Sequence, residues 1–310
     1  MGYKELTTES DSFTGAEIKA WKTSIMDAAQ PLSQAYNILA SNGMVIRGSE
    51  ETFYWPIITA SEMLTGFATR TNQYDAFATK DFDFNTVTFS TVDKRKGLTV
   101  PITLDALQSQ KKLGLGLDLI KKQLALAMAK QKDIDILRND ANGDVSASSI
   151  PHAVVCGSDS TVDSGDIVTL EDIAELKAML EEDDCHPTHL FIHPYQEFQL
   201  LKDSAVRSAM EYGRNTAVRT GHVPTLLGLE IIVTTNVASY TSAATDFNTD
   251  GYEGLMIDVN RAYGIYENED IHFGVDITEK KTLYEISMSY KQDIQLLDSN
   301  AAGLLVSSKT

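Results

Sequence analysis

Only two cysteines, Cys156 and Cys185, occur among the 310 residues, and neither belongs to a Cys-x-x-Cys pair. That count excludes a disulfide framework and is compatible with a reducing compartment. No stretch of about eighteen apolar residues exists, so no helical membrane span is expected. The opening residues, MGYKELTTESDSF, lack the cationic start and apolar run of a secretory signal. Leu6 stands where a myristoylation signal requires Ser or Thr. Positive charge is scarce: 26 Lys and Arg face 44 Asp and Glu, a formal net charge of −18. This balance opposes binding to nucleic acid by phosphate neutralisation, and it suits a protein that stays dissolved at high concentration. No phosphate-binding GxxxxGK[ST], GxSxG elbow or HExxH occurs, and Gly114-x-Gly116 has no third glycine to complete a dinucleotide fingerprint.

What remains is an ordinary globular composition, 43% hydrophobic and 23% charged, long enough to bury a substantial core. The charge is unevenly spread. Between Thr91 and Lys132 there are nine bases and three acids within an otherwise acidic chain. Such a segment either attracts other copies of the chain or forms a solvated helix face.

The first 45 residues read as an arm. Apolar residues Trp21, Ile25, Ala28 and Leu32 follow Ile18 at helical spacing, but Pro31 interrupts any long helix. Strands are expected over Thr52–Thr59 and Phe82–Val92, then a polar turn at Asp93–Gly97 and a strand at Leu98–Thr103. Between the first two strands, Leu64–Lys80 places Phe67, Tyr74 and Phe77 among polar residues with no hydrophobic face of its own. A long excursion of this kind is usually functional. A helix is predicted over Leu115–Arg138, about 36 Å long at roughly 1.5 Å per residue. Thr169 with Asp172 can cap a second helix, and Pro194 can open a third. In Tyr284–Leu296 the apolar residues alternate with polar ones, broken only at Gln292, which predicts a strand of roughly 43 Å. A helix and a strand of such length suit an elongated plate.

One cluster resembles a metal site: Cys185, His186, His189 and His193. Zinc needs donors converging on one point at about 2.0–2.3 Å. His189 and His193 flank a β-type Leu-Phe-Ile, which would set them about 13 Å apart at roughly 3.3 Å per residue. Pro187 and Pro194 reject a helix through both, so structural or surface histidines are favoured over metal ligands. No catalytic residue, metal or cofactor is expected. Phe67, Tyr74 and Phe77 of the excursion either pack on their own domain or anchor a neighbouring subunit; the second is favoured, and with Lys80 and with Trp21 and Ile25 of the arm they are the candidate inter-subunit contacts.

The order of elements resembles the major capsid proteins of tailed double-stranded DNA viruses, with the Hong Kong 97 fold. Three stretches carry the resemblance: Val87–Leu107 (VTFSTVDKRKGLTVPITLDAL), Leu190–Val233 with its HP-opened helix, and Leu255–Val306, which ends in a long strand and NAAGLLV. It implies an α+β chain divided into an N-terminal arm (1–45), a peripheral-domain strand (46–60), an E-loop (61–99) and a peripheral segment with a spine helix (100–142). An axial domain (143–277) and C-terminal peripheral strands (278–310) complete it. The implied role is structural, without catalysis: self-assembly of hexamers and pentamers into an icosahedral shell around double-stranded DNA touched weakly and non-specifically. A portal and a separate scaffolding protein are the implied partners, with no membrane. The implied location is the virion, and the host cytoplasm during assembly. Some relatives cross-link a loop Lys to an Asn. Lys80 could supply the first, but Lys281-Thr282-Leu283 offers no Asn, so cross-linking is not expected. Two alternatives remain: an encapsulin-type compartment around a cargo enzyme, and a metal-dependent enzyme built on the 185–193 cluster.

Overall fold

The structure, a computed structural model, describes residues 33–57, 85–103, 116–138, 149–157, 162–207, 222–240, 249–278 and 283–309. It begins with helix α1 (Gln34–Ser41), strand β1 (Val45–Arg47) and a ribbon of β2 (Thr52–Ile57) and β3 (Asn85–Ser90). Strand β4 (Arg95–Thr103) and helix α2 (Gly116–Leu137) follow. Next come β5 (His152–Val155), α3 (Leu170–Glu182), β6 (His189–Ile192) and α4 (Pro194–Lys202). Then β7 (Thr225–Leu226), β8 (Leu229–Val233), β9 (Ala238–Tyr240) and β10 (Gly251–Ile257) lead to the two longest strands. These are β11 (Tyr263–Thr278) and β12 (Leu283–Leu296), after which β13 (Ala302–Ser308) closes the chain.

The strands form two main sheets. One has the order β1-β11-β12-β4, and the other runs β5-β13-β10-β6-β8-β7 with β9 also paired to β10. The β11–β12 hairpin is antiparallel over nearly its whole length, with register shifts between Glu267 and Glu269 and between Glu269 and His272. At about 3.3 Å per residue the fourteen residues of β12 span roughly 46 Å. Helix α2, with 22 residues, reaches about 33 Å. The two long elements read in the sequence are therefore present together.

In the second sheet β10 and β13 are buried along every residue. Continuous burial marks strands covered on both faces. Helix α3 covers one of them, burying Ile173, Leu176 and Leu180, each contributing about 1.5–3 kcal/mol as apolar area leaves water. Its start is the Thr169/Asp172 capping box: Asp172 N–H donates to Thr169 Oγ1 at 3.3 Å, and Thr169 N–H donates to Asp172 at 2.8 Å. Helix α4 begins at Pro194, where a missing N–H leaves no bond unmade.

Three expectations need correction. Residues 34–41 are not arm-like: they form α1, whose Ala35, Tyr36 and Leu39 join the core. The 277/278 boundary does not follow the sheets. Tyr263–Thr278, expected in the axial segment, pairs with β12 in the four-stranded sheet, whereas Ala302–Ser308, expected in the peripheral one, is central to the seven-stranded sheet. The reason is partner choice: β11 is bonded along its length by β12, and the wholly buried β13 needs a strand on each side. The stretch read as the turn Asp93–Gly97 is also tighter, because β4 starts at Arg95 and Asp93 takes the left-handed conformation (φ 58°).

Gly251 marks a close approach. A methyl group there would collide with the Ser307 carbonyl and the Tyr240 hydroxyl, which itself donates to that carbonyl at 2.9 Å. Gly251→Ala should lower stability by about 1–3 kcal/mol in chemical denaturation, the cost of overpacking a filled core. An unchanged midpoint would contradict the packing described.

Candidate assembly surface

Helix α2 meets the four-stranded sheet through a polar clasp beside its buried Leu124, Met128 and Ile136. Glu267 on β11 is almost wholly buried, and its carboxylate accepts from Lys132 Nζ at 2.9 Å, Tyr36 Oη at 2.9 Å and Arg47 Nε at 3.0 Å. Lys132 also lies 4.3 Å above the Tyr36 ring, a favourable cation–π placement. One residue on, Asp133 caps α1, accepting from Ser33 Oγ at 2.8 Å, Gln34 N–H at 3.0 Å and Tyr36 N–H at 3.2 Å. Four pieces distant in sequence are joined here: α1, β1, α2 and β11.

The clasp's electrostatics are uneven. Burial by itself would raise the Glu267 carboxyl, but Lys132 above all, with Tyr36 and Arg47, holds it below its ordinary value of 4.5. Burial raises Asp133 despite its donors, and burial beside Glu267 pushes the Tyr36 phenol far up.

A second acid, Asp293 on β12, roots the β2–β3 ribbon. It accepts from Ser90 N–H at 2.8 Å and from Lys94 Nζ at 2.5 Å, with its side chain 2% exposed. Above it Phe53 stacks on Tyr266 with centroids 5.0 Å apart, and Phe89 packs against Phe53 and Trp55. This anchor holds both ends of the chain that leaves at residue 57 and returns at 85.

Lys122 and Lys130 of the basic stretch lie exposed on α2, as on a solvated helix face, while four of its nine bases have partners within the chain. Lys94 pairs with Asp293, Arg95 with Glu269, Lys96 with Asp135 and Lys132 with Glu267. These four cations pair with acids of their own chain.

The residues of the metal-like cluster are each engaged separately. Cys185 is buried just beyond α3, and burial raises its thiol. The His186 N–H donates to Asp258 at 3.2 Å, and His189 Nδ1 lies 2.8 Å from Thr188 Oγ1. His193 caps α4, accepting from Tyr195 N–H at 3.2 Å, and its ring stacks on Tyr252 at 3.7 Å. Burial lowers both His189 and His193. Among the described residues no group of three or more His, Cys, Asp or Glu is placed to hold a metal ion.

Phe67, Tyr74, Phe77, Lys80, Trp21 and Ile25 all lie outside the described residues. What sequence reasoning missed is a groove of about 520 Å³ where α2 passes β4 and β12, with Leu98, Leu124, Met128 and Met288 in its walls and Arg95 and Lys96 beside them. Leu98 is 47% exposed. Its position on an edge strand opposite a helix with a wide apolar face was the available signal.

Neither a protein-family model nor a curated protein sequence matches the chain. Solved structures do. The capsid of cyanophage P-SCSP1u superposes with a TM-score of 0.61 at 15% identity, covering 86% of each chain. The capsid of Ralstonia phage GP4 gives 0.60 at 11% identity, over 87% of this chain and 88% of that one. The chain has the fold of phage capsid proteins. This is the Hong Kong 97 fold, as the resemblance implied. A virus-like particle from Pyrococcus furiosus shares it, with a TM-score of 0.54 at 14% identity over 93% of this chain and 98% of that one.

In this fold the clasp keeps α2 seated on the long hairpin. Glu267→Gln should cost about 3–5 kcal/mol, because Lys132 would remain buried without its counter-charge. Since the folded carboxyl titrates below its unfolded value, its contribution is complete above about pH 4.5 and is lost as pH falls through the folded value. Asp133 titrates in the opposite sense, so the readout is a difference: wild-type stability should fall more steeply on acidification than that of Glu267→Gln. Parallel profiles would show that Glu267 carries no such linkage.

Proposed function

We propose that this chain is a major capsid protein that self-assembles into an icosahedral shell enclosing double-stranded DNA, with a structural rather than catalytic role. The observation that carries this reading is the match of fold over most of the chain to phage capsids, at TM-scores of 0.60 and 0.61. The geometry supports it independently. Two sheets and a long helix are tied together by buried charge, and all six candidate contact residues fall in 1–32 and 58–84, outside the described residues.

Each copy presents those segments to its neighbours in hexamers and pentamers. Phe67, Tyr74, Phe77, Trp21 and Ile25 bury apolar surface, and Lys80 adds charge at the loop. The clasp and ribbon root keep the body fixed while the segments adapt to different neighbours. A net charge of −18 keeps DNA contact weak and non-specific, which suits packing and release. A portal and a separate scaffolding protein complete the assembly, in the host cytoplasm before the virion. In this scheme the arm is 1–32, the E-loop 61–99 and the axial domain is drawn from 143–277, with β13 added to it and β11 removed.

The match to a virus-like particle favours one second reading, an encapsulin-type compartment. Such a shell has the same wall and differs in its contents, so nuclease-protected DNA in purified particles supports the capsid and a packaged enzyme supports the compartment.

Deleting residues 61–80 should leave a cooperatively folding protein and abolish fast-sedimenting particles. Particles of undiminished yield would remove the loop from the mechanism.

A further inference from the structure

Helix α4 carries two aromatic rings on its outer side. Tyr195 is 50% exposed and Phe198 52%, and Lys202 continues the same stripe one turn on. Both rings are held in place. Tyr195 lies 5.7 Å from the His193 ring and 5.9 Å from that of Tyr252, with the three planes within 12° of parallel. Lys202 Nζ sits 4.2 Å over the Phe198 ring and makes no ion pair among the described residues. A ring already fixed in one orientation loses little freedom on docking, and such residues anchor interfaces.

Helix α3 presents the complement. Its outer side is Glu171, Ala174, Glu175, Ala178 and Glu182, all exposed, at the three- and four-residue spacing of one helix face. These three glutamates make no ion pair among the described residues. The two alanines leave room above the helix for a ring from a facing helix. One face is aromatic and basic, the other small and acidic.

Both faces belong to one layer. A methyl group on Gly303 would meet Leu176 and Leu180 of α3, and one on Gly254 would meet Gln196 of α4. Gly254 pairs with Leu305, two residues from Gly303, so α3 and α4 cover the same side of the seven-stranded sheet. They are joined there, where Leu170 N–H donates to Asp203 at 2.9 Å. With their inner sides packed on the sheet, the two outer sides of one chain face outward together and cannot meet. A second copy can bring them together.

We infer that the α3–α4 layer is a docking surface for the same layer of a second copy, related by a two-fold axis. Helix α4 of each copy lies on α3 of the other, with Tyr195 and Phe198 over Ala174 and Ala178 and Lys202 among the glutamates. Every contact is then made twice. Charge selects this partner: at a net charge of −18, two copies repel unless opposite signs are set face to face. The pairing uses a face to which the shell reading gives no role, and it stands or falls apart from that reading.

Carbodiimide, which joins a carboxylate to an amine without a spacer, tests it on a mixture of ordinary and heavy-nitrogen-labelled full-length chains. Mass spectrometry should find Lys202 joined to glutamates of α3 in peptide pairs of mixed isotope, which only two copies can give. Pairs of unmixed isotope alone, or no joining at Lys202, would overturn the inference. The readout is the same for free chains and for particles, so an absence of shells does not decide it. Charge reversal gives a second measure. Lys202→Glu alone and Glu175→Lys alone should each weaken two-copy association roughly tenfold in sedimentation of the dilute chain, because the reversed contact occurs twice per pair. Mixing the two variants should restore association, since each contact regains opposite charges. Equal association of wild type, single variants and mixture would contradict the pairing.

Discussion

The seating of the long helix on the four-stranded sheet depends on one buried carboxylate. Glu267 gathers Lys132, Arg47 and Tyr36, so helix α2, the edge strand β1, the first described helix and the longest strand meet at a single charge. A buried ion pair is weak evidence for stability by itself, because desolvation offsets much of the attraction. Its value here is geometric. The buried apolar residues of the 22-residue helix would by themselves tolerate sliding along the hairpin, whereas a three-donor carboxylate allows one register. The bulges of β11 on either side of Glu269 lie next to this point, consistent with a strand bent to bring the carboxylate beneath Lys132.

The same logic extends to Asp293 and Asp135, which take Lys94 and Lys96. A chain with a large acidic excess thus uses four bases of its basic stretch to fix its own architecture. The result is a body with internal electrostatic register and an acidic remainder.

Local patterns were legible and distant partnerships were not. Thr169 and Asp172 sit three residues apart, so the capping box could be read directly, as could the alternation of β12 and the proline at the start of α4. Strand β11 was obscured by the polar run Glu267–Asp270 and its bulges, which break the period of two. Ala302–Ser308 was grouped with the C-terminal peripheral strands, but a strand buried on both faces carries no alternation to show which sheet it joins. Residues 34–41 resembled the rest of the arm because their helix is fixed by Asp133, a hundred residues away. The groove was invisible for a similar reason: its walls come from β4, α2 and β12, and only the fold brings them together. The histidine cluster shows the converse. Its proximity in sequence suggested a site, and the strand and cap between its members separate them.

The central claim is that this is a wall-forming tile, whose segments 1–32 and 58–84 are stabilised by neighbouring copies. Electron microscopy of the purified full-length chain under assembly conditions tests it most directly. The account predicts closed shells built of six-fold and five-fold clusters, with density from each copy extending over its neighbours. A population of solitary 34.1 kDa molecules, with both segments folded onto their own body and no shells at any concentration, would contradict it.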